Sequence, residues 1–176
     1  EMADLGLRKN GFFIEFEKKE LSVDGLYSCR FMVQLNEGIE KASLKKAASG
    51  GEASRLMLAL KIVLNHINPY DLVVFDEIDT GISGKTAWNV SEKLSVISRE
   101  HQVIAITHLP QIAAMADRHY LIDKSVVEDA TVTDVHLIEG EDRVHELARM
   151  LSGGELNEAG ILNARQLIES ANSSKM

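Results

Sequence analysis

Residues Leu72–Val90 read "LVVFDEIDTGISGKTAWNV", and two opposite halves of a nucleotide site compete for the stretch. An apolar run feeds a turn ending in Gly84-Lys85-Thr86, with a helical pattern behind it, which is the order of a phosphate-binding P-loop. The same run ends in Asp76-Glu77, the acidic pair expected of a magnesium-handling segment. A P-loop requires a first glycine five positions before Gly84, and that position holds Asp79. There the backbone must curl so that its N–H groups face an anion, and an aspartate would set negative charge against it. Gly81 has the wrong spacing to replace it, and Lys85 reads as an exposed residue in a first helical turn.

The acidic reading fits the surrounding pattern. "LVVF" and the later "VIAIT" are short apolar runs, expected as strands covered on both faces. Between them Ala87, Val90, Leu94 and Ile97 fall on one helical face. Strand, helix and strand at this spacing predict a βαβ unit with parallel strands and a right-handed crossover. Ligands of open parallel sheets bind beyond the carboxyl ends of the strands, where Asp76 and Glu77 stand. Adjacent carboxylates repel unless a cation relieves them. Side chains of neighbouring residues point in different directions, so one acid can face a magnesium ion and the other an attacking water. His108 ends "VIAITH", and parallel pairing puts it on the same sheet edge. From there it could donate a hydrogen bond to a phosphate oxygen.

"SGGE" at Ser49–Glu52 is a capping box that starts a helix. The cap does not account for Gly50 and Gly51, since each glycine in a helix costs up to about 1 kcal/mol relative to alanine. Bare backbone at a helix N-terminus suits close contact with an anion. The helix that follows is apolar nearly all round from Leu56 to Leu64 and is expected to run to about Ile67, buried on most sides. "SGGE" recurs at Ser152–Glu155, where it reads as a plain capping box before a helix over roughly 155–171. "HELAR" at His145–Arg149 has arginine where a zincin motif needs its second histidine.

The remaining pattern predicts an N-terminal β-hairpin. "GFFIEFEKK" and "LYSCRFMVQLN" flank Val23-Asp24-Gly25, and Tyr27, Cys29, Phe31, Val33 and Leu35 alternate as in a half-buried strand. A short helix near Ile112–Ala116 and a strand at "HYLID" extend the βαβ pattern. "ATVTDVHLI" reads as a further strand, and a helix over roughly 142–151 follows. Residues 1–176 are read as a single domain with a frayed tail over 172–176. The formal net charge of −8 argues against strong DNA binding by this chain itself. No run approaches the ~20 apolar residues of a membrane helix, so no membrane partner is expected, and the cytoplasm is the default location. The lone Cys29 excludes a disulfide framework.

The ordered set "ASGGEASRLMLALK", "VVFDEIDTGISG" and "VIAITHLPQIAAMAD" resembles the C-terminal half of an ABC-type ATPase head, in the branch of the structural-maintenance-of-chromosomes (SMC) proteins. The similarity covers about Leu5 to Ile168. It implies an α/β lobe with a parallel βαβ sheet, flanking helices and an N-terminal hairpin. Ser49, Gly50, Gly51 and Glu52 would be the signature motif, contacting ATP held by a second head. Asp76 would be the acidic residue that supports Mg2+, through water, and Glu77 the general base. Asp79 would belong to the D-loop joining two heads, and His108 would be the switch histidine. The N-terminal lobe of the head, with its P-loop, and a coiled coil are expected from outside this chain. The implied partners are that lobe, a second head in a nucleotide-dependent homodimer, and DNA through the complete protein. The implied role is ATP hydrolysis in double-strand break repair and recombination, with nucleoid association. A non-catalytic interaction module and a P-loop phosphotransferase built on Lys85 are the alternatives.

Overall fold

The computed structural model describes residues 1–35, 38, 40–44, 49–64, 70–127, 130–153 and 156–175. The chain forms two compact units, Glu1–Thr107 and His108–Met176.

In the first unit β1 (Phe12–Ser22) and β2 (Gly25–Val33) pair antiparallel, and β3 (Ala42–Ser43) adds to β2. The turn between Ser22 and Gly25 is where Asp24-Gly25 predicts it, and Gly25 supplies the required positive φ of 95°. The expected half-buried stripe along β2 is not found. Tyr27, Cys29 and Phe31 are exposed, and burial begins only at Val33 and Leu35. A small sheet is covered only where another layer meets it. Here that layer is the cluster of Leu7, Val33, Leu35 and Leu56, with Phe12 packed at its margin.

Helix α1 (Gly50–Val63) buries Leu56, Leu58 and Ala59, while Met57, Val63 and Leu64 remain exposed. It is therefore buried on one face rather than most sides; the predicted extension over 65–67 lies outside the described residues, as does Asn36 at the predicted end of the second strand. Strands β4 (Leu72–Phe75) and β5 (Gln102–Ala105) are parallel, in register Leu72↔Gln102 to Phe75↔Ala105. Helix α2 (Gly84–Ser98) is the crossover, and Ala87, Val90, Leu94 and Ile97 are its buried stripe as expected. The strands are not covered on both faces. Val73 and Phe75 are buried, whereas Leu72, Val74, Ile104 and Ile106 are exposed. An apolar run with no polar alternation signals burial only if a second layer is at hand to supply it.

The second unit contains α3 (Pro110–Met115), β6 (His119–Val127), β7 (Ala130–Ile138), α4 (Gly140–Ser152) and α5 (Glu158–Ser174). β6 does not extend the parallel pattern; it pairs antiparallel with β7. Two residues separate these strands, far too few for a parallel crossover. Arg143 Nη2 donates to the carbonyls of Ala113, Ala114 and Ala116 at 3.2, 2.9 and 2.8 Å, closing the C-terminal turn of α3. Arg149 in "HELAR" makes a two-pronged ion pair with Glu146 at 2.7 and 2.6 Å.

The second "SGGE" is not an N-cap. Ser152 ends α4 with its hydroxyl donating to Ala148 O at 2.7 Å, and Gly153 is a left-handed C-cap at φ 70°. Gly154 and Glu155 lie outside the described residues. Asn157 caps α5 instead, accepting from Gly160 N–H at 2.7 Å. The tail is not frayed over 172–174, because α5 continues to Ser174 and Lys175 pairs with Asp117 at 2.7 Å; Met176 is outside the described residues.

Two outcomes are expected. Asn157→Ala should lower stability by about 1 kcal/mol, read from the urea midpoint of the transition monitoring the second unit. His119 Nδ1 is buried with no hydrogen-bond partner among the described residues, and burial, with Arg143 adding to it and Glu146 opposing, holds the imidazole pKa below 6.5. The unfolded chain therefore takes up the proton first. The contribution is fully present above pH 6.5 and lost as pH falls through the depressed folded value. His119→Gln should flatten the fall of unfolding midpoint below pH 6.5, and an unchanged slope would exclude His119 as its source.

Candidate functional site

The site is built from the N-terminus of α1 and the segment that leaves β4, both in the first unit. Ser49 is the N-cap of α1, with extended backbone at φ −63°, ψ 161°. Its Oγ accepts from Glu52 N–H at 3.4 Å, while a Glu52 carboxylate oxygen accepts from Ser49 N–H at 3.2 Å and from Ser49 Oγ–H at 3.0 Å. The predicted capping box is complete.

The structure gives Gly51 an intrachain reason and Gly50 only a side-chain neighbour. A Cβ on Gly51 would lie 2.8 Å from Glu77 O and 2.9 Å from Thr80 Cβ and O, so the Glu77–Thr80 backbone passes directly over it. The nearest neighbours of a Cβ on Gly50 would be atoms of the Glu77 side chain, whose carboxylate lies over this first helical residue. The free N–H groups of a helix N-terminus favour an anion nearby, and the nearby anion is Glu77 itself. Sequence reasoning anticipated an anion beside the glycines but not that the chain provides one.

Asp76 and Glu77 are exposed immediately after Phe75, which is 3% exposed. The Asp76 carboxylate accepts from Glu77 N–H at 2.9 Å, and Ser54 Oγ donates to Asp76 O at 2.8 Å. Glu77 has left-handed backbone at φ 55°, uncommon for a residue with a side chain. The chain then turns inward. Ile78 is fully buried, and Asp79, 2% exposed, accepts from Thr107 Oγ1 at 2.5 Å. Thr80 and Gly81 return to the surface.

Arg55 holds this turn from beneath. Its guanidinium, on a residue 4% exposed, donates from Nη1 to Ile78 O at 3.2 Å and Thr80 O at 2.8 Å. Burial lowers its pKa, while Glu52 and Asp79 act to raise it; an arginine nonetheless stays charged. Ser54, Arg55 and Thr107 were not singled out from sequence. Arg55 had a readable signal, a charge set in the apolar face of Leu56, Leu58 and Ala59.

Lys85 is exposed in the first turn of α2, and the carboxylate of Asp79, where a P-loop would need glycine, is engaged by Thr107. His108 is exposed and opens the second unit, two residues before α3. Among the described residues no three His, Cys, Asp or Glu side chains converge to form a metal cage. Magnesium commonly uses one or two carboxylates and takes its remaining ligands from water and phosphate, so the exposed Asp76 carboxylate suits that mode of binding.

The two glycines should separate on substitution. Gly51→Ala forces a methyl against backbone and should destabilise the first unit by about 1–3 kcal/mol. Gly50→Ala displaces only a flexible carboxylate and should leave the unfolding midpoint nearly unchanged, helix propensity offsetting the crowding. Equal losses for the two variants in urea unfolding would contradict this packing.

No family model matches the chain. DNA repair protein RecN of Halalkalibacterium halodurans is 39% identical over 180 aligned residues, covering 99% of this chain and 32% of the relative. RecN of Deinococcus radiodurans is 45% identical over 144 residues, covering 82% of this chain and 25% of the relative. The chain thus spans a third or less of the curated relatives it matches. Among solved structures, the Smc head domain with a coiled coil and joint from Pyrococcus yayanosii aligns over 83% of this chain and 26% of its own, with TM-score 0.57 and 23% identity, a likeness of fold. The chain is similar in sequence to part of the RecN proteins, and its fold is like that of an SMC head domain.

Proposed function

We propose that the chain is the signature and acidic half of an SMC-like ATPase head acting in DNA double-strand break repair and recombination. The observation that carries this reading is the packing of the "SGGE" helix start directly on the acidic segment beyond a parallel strand, through Gly51, Ser54 and Arg55. The RecN relatives supply the repair context. Residues 1–176 act together as the C-terminal lobe, joined to an N-terminal lobe that carries the P-loop and to a coiled coil.

In this reading Ser49 to Glu52 face ATP held by a second head, and two heads engage as a nucleotide-dependent homodimer. Asp76 would hold Mg2+ through water, and the ion would neutralise charge on the phosphates. Glu77 polarises the attacking water as general base. Asp79, with Thr80 and Gly81, forms the D-loop at the head–head boundary; its own carboxylate supports the loop from inside through Thr107. His108 donates to the terminal phosphate. The charge of −8 leaves DNA contact to other parts of the complete protein, which acts in the cytoplasm at the nucleoid. Among the described residues no helix is long and apolar enough to cross a membrane.

The test is steady-state ATP hydrolysis by this chain alone and joined to its P-loop lobe. The chain alone should be silent. The joined head should turn over, and Glu77→Gln should bind ATP normally while slowing hydrolysis about 10²–10⁴-fold. Unchanged turnover in Glu77→Gln would remove Glu77 from the base role and favour an interaction module. Robust hydrolysis by the chain alone, lost in Lys85→Ala, would restore the P-loop reading.

A further inference from the structure

We infer that Arg55 is a positioning residue that sets the backbone of Asp76 and Glu77 from the signature helix, a step that rests on the reading of Glu77 as the general base. Ser54 and Arg55 are consecutive, and between them they hold the chain on both sides of Glu77. Ser54 Oγ takes the carbonyl before it, on Asp76, and Arg55 Nη1 takes the carbonyls of Ile78 and Thr80 after it. Glu77 is the left-handed residue between these tethers. Gly51, one turn earlier on the same helix, lies against the Glu77 carbonyl. The residues proposed to face a second head's nucleotide and the acid proposed to act on this head's own nucleotide therefore belong to one hydrogen-bonded body.

The bonds of this guanidinium bear on the position of Glu77 as well as on stability. Arg55 is 4% exposed and its Nε has no hydrogen-bond partner among the described residues. Removing one member of a buried charged network costs stability because the groups it served are left unpaired, so each variant's unfolding midpoint is read beside its turnover. What the fork does that an apolar chain cannot is bond two carbonyls that flank Asp79, on a turn whose outer member is Glu77. Displacing a catalytic group by about 1 Å can cost about 100-fold in rate. Loss of the fork should thus appear in turnover rather than in nucleotide affinity, because the phosphate cradle lies in the other lobe.

The experiment compares Arg55→Met, Arg55→Lys and Glu77→Gln in the ATPase head joined to its P-loop lobe. Each variant is assayed for kcat and KM with ATP and for its thermal unfolding midpoint. Arg55→Met should lower kcat about 10- to 100-fold with KM within about twofold of wild type. Arg55→Lys keeps charge and most of the volume and should recover part of kcat. A folded Arg55→Met with kcat within about twofold of wild type overturns the inference. So does a kcat loss matched by an equal rise in KM. Should Arg55→Met fail to fold, Arg55→Lys decides alone, with wild-type kcat overturning the inference and a several-fold loss at unchanged KM supporting it. An inactive Glu77→Gln beside fully active Arg55 variants sinks the positioning role only. A fully active Glu77→Gln sinks the base assignment beneath it.

Discussion

The guanidinium of Arg55 sits where the helix starting at Gly50 meets the turn leaving β4, and most of the site's geometry follows from satisfying it. A buried charge is costly unless its protons find acceptors. The acceptors available are backbone carbonyls, Ile78 O and Thr80 O, which are free because the chain here is neither helix nor strand. Those bonds draw the turn onto the helix so closely that a side chain at position 51 has no room. They also leave Asp79 pointing inward, where Thr107 meets it at the end of the neighbouring strand. One cation thus fixes a glycine, an aspartate and a threonine drawn from three segments of the chain.

Features set by neighbouring residues were legible in the sequence. The Ser49–Glu52 capping box and the Asp24-Gly25 turn depend on contacts within a few positions, the stripe of the crossover helix on spacing within one helix, and each is found. Identical local strings did not guarantee identical structure, however. The second "SGGE" ends a helix because Gly153 takes a left-handed conformation and Asn157 offers a better cap four residues later. The tetrapeptide contains both a start signal and a stop signal, and the flanking chain decides between them.

Features that depend on a second layer were not legible. Tyr27 and Phe31, and likewise Leu72, Val74, Ile104 and Ile106, have the sequence character of core residues but are exposed here. Apolar patterning reports which faces can be buried, whereas burial itself requires a partner layer. Sequence pointed to Asp76, Glu77 and the glycines, which the structure packs together, but not to Arg55, Ser54 and Thr107. Their roles arise from contacts across 22 to 28 positions of chain, which spacing rules do not reach.

The left-handed backbone at Glu77 has an evolutionary corollary. Among ordinary residues only glycine enters that region freely, with asparagine and aspartate next, while β-branched residues are strongly disfavoured. Position 77 therefore filters its own replacements by backbone shape as well as by chemistry. A lineage that abandoned the acid would be expected to drift toward glycine, asparagine or aspartate, and valine, isoleucine and threonine should stay rare there even in copies that no longer need a carboxylate.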